Sequence, residues 1–398
     1  MNIGGVIAEY NPFHAGHQYQ LARMRKSGVD RIAVIMSGNF VQRGDVAIQS
    51  KFARARAAVQ CGADLVIELP TPYALASAER FAYGGVFLLD ALGCVNTLSF
   101  GCEDTDITLF RQICAELRSA ETDQLIREYL KEGISYPAAR GKAIGARLGE
   151  HARELLERPN NILAIEYLKA IEETDANFNI LPILRQGAAH DSDDREGDFL
   201  SASEIRRIVS AGEQPGNLAI PSVSMDSLFD DIQNGRAPAD IKNLERTILY
   251  ALRMMTAEEL RRLPDVSEGL EGRILKAAQT SVSLPELLAK IKSKRYPLAR
   301  IRRIILCALL GITHEALQSP PPYLRVLACN ANGFDILRIA RDTAKLPIVM
   351  KTADVRTLNR QAQSVFEREC RCDDIYALTA PQIQKCAVNQ TSGVQIIK

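Results

Sequence analysis

The sequence predicts an α/β protein: a doubly wound parallel sheet followed by a mostly helical C-terminal region. Three observations predict it. Strand-like runs recur at residues 3–8, 31–36, 64–69 and 97–100, the first apolar on both faces like a buried parallel strand. Helix-like segments separate these runs, the alternation that builds parallel sheets. Glycine and polar residues gather where the strands end, at Asn11, Ser37-Gly38 and Gly101. Ligands bind at such carboxyl ends.

The elements follow in order. The first strand, residues 3–8, leads through Glu9-Tyr10-Asn11-Pro12-Phe13-His14-Ala15-Gly16-His17 into a helix at 18–25. A second strand, 31–36, ends in the polar turn Ser37-Gly38-Asn39-Phe40, and a loop runs to Asp45. The next helix, 50–61, carries Lys51, Arg54 and Arg56. Strand 64–69 stops at Pro70, a helix covers 74–92, and strand 97–100 ends at Gly101. Residues 106–158 read as an inserted helical pair. Pro159-Asn160-Asn161 opens a helix over 162–171, with an asparagine as its N-cap. The strand at 178–184 contains Pro182, which predicts an edge position. It ends at Arg185, and a mobile polar loop is expected over 191–198. Leu200-Ser201-Ala202-Ser203-Glu204-Ile205-Arg206 reads as a capped helix start.

Residues 214–238 are rich in Pro, Gly, Asn and Ser and read as a linker. Helices are then expected at 243–255, 257–263, 268–280 and 283–291. The most basic stretch follows, with Lys294, Arg295, Arg300, Arg302 and Arg303 running into an apolar helix. It is either a solvated charged face or a tract for an RNA backbone. Strand-like segments at 324–329 and 348–349 predict a small α/β piece at the end. The chain divides into 1–213, a linker at 214–239, and 240–398.

Composition bounds the function. The 398 residues exceed one ordinary core, and 46% hydrophobic with 24% charged content fits a globular protein. A net charge of +1 leaves no global basic field, so any nucleic-acid site is a local patch. Nine cysteines without metal-type pairs, and no leader segment, predict reduced thiols in the cytoplasm. No apolar run is long enough to span a bilayer.

Chemistry concentrates at His14 and His17. They lie three residues apart where a strand becomes a helix. A helix N-terminus offers unpaired N–H groups and partial positive charge, which suits phosphate. Residues at this spacing share one helix face, and Gly16 lets a ligand approach the backbone. A pair of capping histidines is the plain alternative. His14-Ala15-Gly16-His17 resembles the HxGH signature of the nucleotidyltransferase superfamily, whose sheet domain is of HUP type. The stretch 200–206 is similar to that superfamily's second signature, ISSTxxR. Ala202 departs from it, which leaves Ser201, Ser203 and Arg206 to carry its role.

Longer stretches narrow this further. Residues 8–17, 36–44, 64–70 and Ser99-Phe100-Gly101 resemble the bacterial tRNA(Met) cytidine acetate ligase family. The resemblance implies an enzyme that uses ATP to activate acetate as acetyl-adenylate. It would then acetylate N4 of the wobble cytidine of elongator tRNA(Met). His14, His17 and Arg206 would be catalytic. ATP would be held by Ile7, Ala8, Glu9, Tyr10, Asn11, Pro12, Phe13, His14, Gly16, His17 and Gln20. Gly101, Asn161, Arg185, Ser201 and Ser203 would complete that site. Mg²⁺ would accompany the nucleotide, with no protein metal ligands assigned. The tRNA would contact Lys294, Arg295, Arg300, Arg302 and Arg303. Residues 37–43 are candidates for the acetate pocket, and Lys51 and Arg54 could serve tRNA or phosphate. Two other readings stay open: a small-molecule adenylyltransferase, and a non-catalytic RNA-binding protein with a nucleotide pocket.

Overall fold

The computed structural model describes residues 1–185, 200–215, 219–267 and 269–398. The loop expected at 191–198 and the first residue of the helix expected at 268 lie outside the described residues. Along the chain run strands β1 (Ile3–Ala8), β2 (Arg31–Ser37), β3 (Phe40–Val41), β4 (Asp45–Val46) and β5 (Leu65–Leu69). They are followed by β6 (Thr97–Cys102), β7 (Asn179–Leu184), β8 (Leu324–Cys329), β9 (Ile348–Val349) and β10 (Gln395–Ile396). The main sheet has the order β10-β8-β5-β2-β1-β6-β7, with β9 beside β8. Strands β5, β2, β1, β6 and β7 are parallel throughout. Their order reverses direction at β1, so the switch point falls where β1 ends. β7 is the terminal strand, as Pro182 predicts. β3 and β4 form a separate antiparallel hairpin.

Eight helices matter below: α1 (Ala15–Lys26), α2 (Lys51–Gln60), α3 (Ala78–Ala91), α4 (Pro159–Thr174), α5 (Ala202–Ser210), α6 (Ser222–Gln233), α7 (Leu298–Leu310) and α8 (Arg360–Tyr376). Strand alternation sorts them onto two faces. Ile32, Val34 and Met36 of β2 pack with Leu21 and Met24 of α1 and Ala55 of α2. Ala33 and Ile35 point the other way, into a core with Val86 and Leu89 of α3 and Ile165 of α4. A third cluster joins Leu244, Ile248, Ile274, Leu287 and Ile304 of the helical region to Phe40 and Val46 of the hairpin. The hairpin is therefore a shared element between sheet and bundle.

Several expectations change. The sequence reads the last strands as a small α/β piece at the end; β8 and β10 extend the main sheet. β8 runs antiparallel to β5, with Leu65 opposite Cys329. Without β8, the fully buried β5 would be an open edge. The linker reading fails for α6. Its Met225, Leu228, Phe229 and Ile232 have helical spacing and pack with Ile48, Ile205 and Val209. The inserted pair is four helices, Ile107–Glu116, Ala120–Lys131, Tyr136–Leu148 and Glu150–Leu155. The helix expected at 74–92 is broken, because Ser77 caps a fresh start at Ala78.

Candidate active site

The hand-over from β1 to α1 builds one wall of a cleft of about 210 Å³. Tyr10 adopts a φ of 47°, a left-handed conformation unusual for a bulky residue. Packing holds it there: its ring lies 4.8 Å from Phe13 and 4.7 Å from His17. Asn11 Oδ1 accepts the Ile48 N–H at 2.8 Å. Pro12 and Phe13 are buried behind this turn and do not line the cleft. They shape the wall rather than face a ligand.

His14 is the N-cap of α1, so the helix begins earlier than the sequence suggests. Its Nδ1 accepts the Gly16 N–H at 3.1 Å. His17 Nδ1 accepts the His14 N–H at 3.2 Å. The rings stack with centroids 3.7 Å apart. Burial, then the charges of Arg185 and Arg206, lowers the His14 pKa to about 3. Burial, then His14 and Arg185, holds His17 well below its ordinary value. Both imidazoles are therefore neutral. With each Nδ1 accepting, each proton sits on Nε2. The capping reading and the ligand reading are thus compatible, because capping fixes the tautomer that can donate.

Around the histidines lie the cations. Arg185 follows β7 and lines the cleft. Arg206, on α5, donates to the Asn11 carbonyl at 2.7 Å. The Ser201 and Ser203 hydroxyls are 3.1 Å apart at the start of α5, and Ser201 also caps Glu204 N–H. Ile7, Ala8, Gln20 and Gly101 line the same cleft. Gly16 lines an adjoining recess with Gln20, Gly101 and Leu184.

Neither asparagine is the N-cap that the sequence reading expects. Arg158 holds the cap position and Pro159 the first turn. Asn161 is fully buried, and its Oδ1 accepts the Glu103 and Asp104 N–H groups. Asn160 faces the cleft instead. Gln42 and Arg43, from the stretch 37–43 expected at the acetate pocket, line the cleft, whereas the sequence passed over Phe81, Leu163 and Tyr167. Asn160, Leu163 and Tyr167 follow helical spacing, the one signal that could have found them.

Among the described residues that line the cleft, Glu9 is the sole carboxylate. Its Oε1 accepts the Gln42 N–H at 2.8 Å. Burial raises its pKa against the pull of Arg43. Lys51 and Arg54 do not face the cleft. Lys51 Nζ is 2.6 Å from both Glu68 and Asp373, in a wholly buried ion triad. Arg54 is buried and donates to the carbonyls of Gln49, Glu9, Ser37 and Gly38, fixing the strand ends.

The basic tract is divided. Lys294 and Arg295 are exposed. Arg300 donates to Asp265 O and Ser267 Oγ. Arg303 pairs with Asp265 at 3.0 Å and is largely covered. Gly44, at a φ of +73°, lies so close to α7 that an added Cβ would sit 2.6 Å from Arg302 Cβ. Arg303 also reaches the Gln42 carbonyl and so ties α7 to the hairpin, while Arg300 ties it to the 265–267 loop.

Comparison with known proteins agrees with this geometry. The family described as HIGH Nucleotidyl Transferase matches residues 1–391. The chain is 35% identical over 417 residues to the tRNA(Met) cytidine acetate ligase of Acetivibrio thermocellus, covering 100% of both. It is 38% identical to the Caldicellulosiruptor saccharolyticus protein of the same name, covering 97% of this chain and 96% of that one. Crystal structures of Thermotoga maritima TmcAL superpose closely at 30% identity. The apo form gives a TM-score of 0.92 with full coverage of both chains. The form bound with alpha-thio ATP gives 0.91, covering 100% of this chain and 99% of that one. On these matches across its whole length, the chain belongs to the tRNA(Met) cytidine acetate ligase family of HIGH nucleotidyl transferases.

Proposed function

We propose that the protein activates acetate with ATP and transfers the acetyl group to N4 of the wobble cytidine of elongator tRNA(Met). The products are N4-acetylcytidine, AMP and pyrophosphate. Cytoplasmic tRNA is the substrate pool this reading requires. The observation that carries it is the pair of neutral imidazoles, each left with an Nε2–H donor, beside Arg185 and Arg206.

An acetate oxygen attacks the α-phosphorus of ATP and pyrophosphate leaves. His14 and His17 donate to oxygens whose charge shifts in that step. Fixed donors help most where charge develops, and a neutral ring needs no proton transfer to act. Arg206, Ser201 and Ser203 steady the departing pyrophosphate, while Arg185 and Gly101 face the nucleoside end. The work is positioning and electrostatics. Among the described residues no three His, Cys, Asp or Glu side chains form a metal cluster. Mg²⁺ carried on the triphosphate would neutralise phosphate charge.

For tRNA, Lys294 and Arg295, exposed just ahead of α7, offer phosphate contacts. Incubation with acetate and ATP, without RNA, and with labelled pyrophosphate tests the first step. Acetate-dependent label in ATP is the expected result. A protein that binds ATP but exchanges nothing, with or without tRNA, would remove the adenylation step. Mass analysis of tRNA nucleosides after a full reaction tests the second step.

A further inference from the structure

A second concavity, of about 330 Å³, lies on the helical region. Small-ligand sites are commonly of this size or larger, about 300–1,000 Å³. Its floor is apolar: Ile241 from the short turn Ile241–Leu244, Leu284 and Leu288 from the helix Leu284–Ile291, and Leu298 from α7. Its rim is cationic. Lys242, Lys292 and Arg302 line it, and among the described residues no carboxylate does. Lys292 is exposed, and Arg302 Nε is buried without a hydrogen-bond partner among the described residues. Asp45, Asp240 and Glu245 lie outside the lining, each with an oxygen already taken by a backbone N–H. Asp240 also comes within 3.7 Å of Lys242 Nζ, but that lysine side chain is 77% exposed, and so open a pair binds weakly.

The groove adjoins the cleft. Arg43, in the turn of the hairpin, lines the cleft. Its neighbour Gly44 meets Arg302, which lines the groove, with an added Cβ only 2.6 Å from Arg302 Cβ. One turn therefore borders both sites, and a strand that leaves the cleft across it arrives at the groove. An exposed apolar surface with a polar rim marks an interaction site. Here the rim carries one sign of charge. Its partner needs flat apolar faces on an anionic backbone, which is the chemistry of single-stranded nucleic acid. A duplex keeps its base faces stacked and could offer only phosphates.

We propose that the groove holds an unpaired nucleotide of the tRNA loop that presents the target cytidine. Its base lies on Leu284, Leu288 and Leu298, and the flanking phosphates meet Lys242, Lys292 and Arg302. The proposal rests on the function stated above. It gives the loop a second anchor beside the reacting base, so a loop that fills the cleft alone binds more weakly.

The test uses the full chain, an unmodified tRNA(Met) transcript, and Lys242→Ala, Lys292→Ala and Ala289→Phe. Ala289 is exposed and lines the groove, so a ring placed there obstructs the floor without altering charge. Melting curves first confirm that each variant is folded. Affinity for tRNA is then titrated at several salt concentrations. Each lysine variant should weaken binding and lower the slope of log affinity against log salt by about 1. Ala289→Phe should weaken binding about tenfold with the slope unchanged, the loss expected when one base is no longer seated. Retained affinity in Ala289→Phe would overturn the proposal, because the rim would then meet phosphates alone. Unchanged slopes in both lysine variants would overturn it too. So would binding to phosphatidylglycerol vesicles that is lost in Lys292→Ala while tRNA affinity holds, since the groove would then serve a lipid surface. If the unaltered protein binds tRNA but makes no N4-acetylcytidine, the function stated above fails, and the Ala289→Phe affinity still decides the groove. Should Ala289→Phe not fold, Ala289→Glu replaces it with a carboxylate that repels phosphate: weakened binding supports the groove, and retained affinity overturns it.

Discussion

His17 Nδ1 accepts the backbone N–H of His14, so each histidine is locked by the turn it caps. This separates structural from chemical loss. His14→Ala removes both the cap and the Nε2 donor; the cap costs about 1 kcal/mol. His14→Asn keeps a side-chain acceptor for the Gly16 N–H but has no group at the Nε2 position. Stability of His14→Asn should therefore lie near the unaltered protein and above His14→Ala. Pyrophosphate exchange should fall about 10²–10³-fold in both. Full exchange in His14→Asn would show that the ring does no more than cap.

Acid should weaken the fold through the same pair. His14 titrates at about 3 when folded against an ordinary 6.5, and His17 moves in the same direction. Between those values the unfolded chain binds protons that the folded one refuses. Stability is therefore full above 6.5 and declines as pH falls toward 3. Urea midpoints at several pH values measure this. The decline should be shallower in His14→Asn, and an unchanged slope would contradict the buried neutral ring.

The parallel strands and the histidine turn were legible because local pattern dictates them. Residues 31–36 are apolar on both faces, and the turn at 9–17 carries its own capping groups. Long-range features were not legible. Nothing local to Leu324–Cys329 says that it will run antiparallel to β5. Asn160 and Asn161 are adjacent and alike, and only the cap at Arg158 decides which one faces the cleft. Lys51 reads as a surface cation until Asp373, far along the chain, comes to meet it.

That buried triad gives a stability test. Lys51→Met would leave Glu68 and Asp373 without their shared cation, at a cost of about 3–5 kcal/mol. A large drop in melting temperature is expected, with no direct effect on the cleft.

Glu369 adds a pH signature at the same place. Burial, with Glu68 nearby, pushes its carboxyl up to about 8 from an ordinary 4.5. The folded state then holds a proton that the unfolded state has released. This contribution is full below 4.5 and is lost as pH rises through about 8. Glu369→Gln should flatten the alkaline decline seen in chemical denaturation. An equally steep decline would mean that the carboxyl is already ionised in the fold.

The basic tract should split into two phenotypes. Arg303 pairs with Asp265 and reaches the Gln42 carbonyl, so it holds α7 on the hairpin. Arg303→Ala should lower melting temperature and disturb the Gln42–Arg43 rim. Lys294 is exposed on the approach to that helix. Lys294→Ala should leave melting temperature and pyrophosphate exchange alone. It should weaken tRNA binding and reduce the slope of log affinity against log salt by about 1, the signature of one lost phosphate contact. Titrations of tRNA at several salt concentrations measure both. If the slope is unchanged in Lys294→Ala, the tRNA backbone does not cross this face, and the contact must be sought on another face of the helical region.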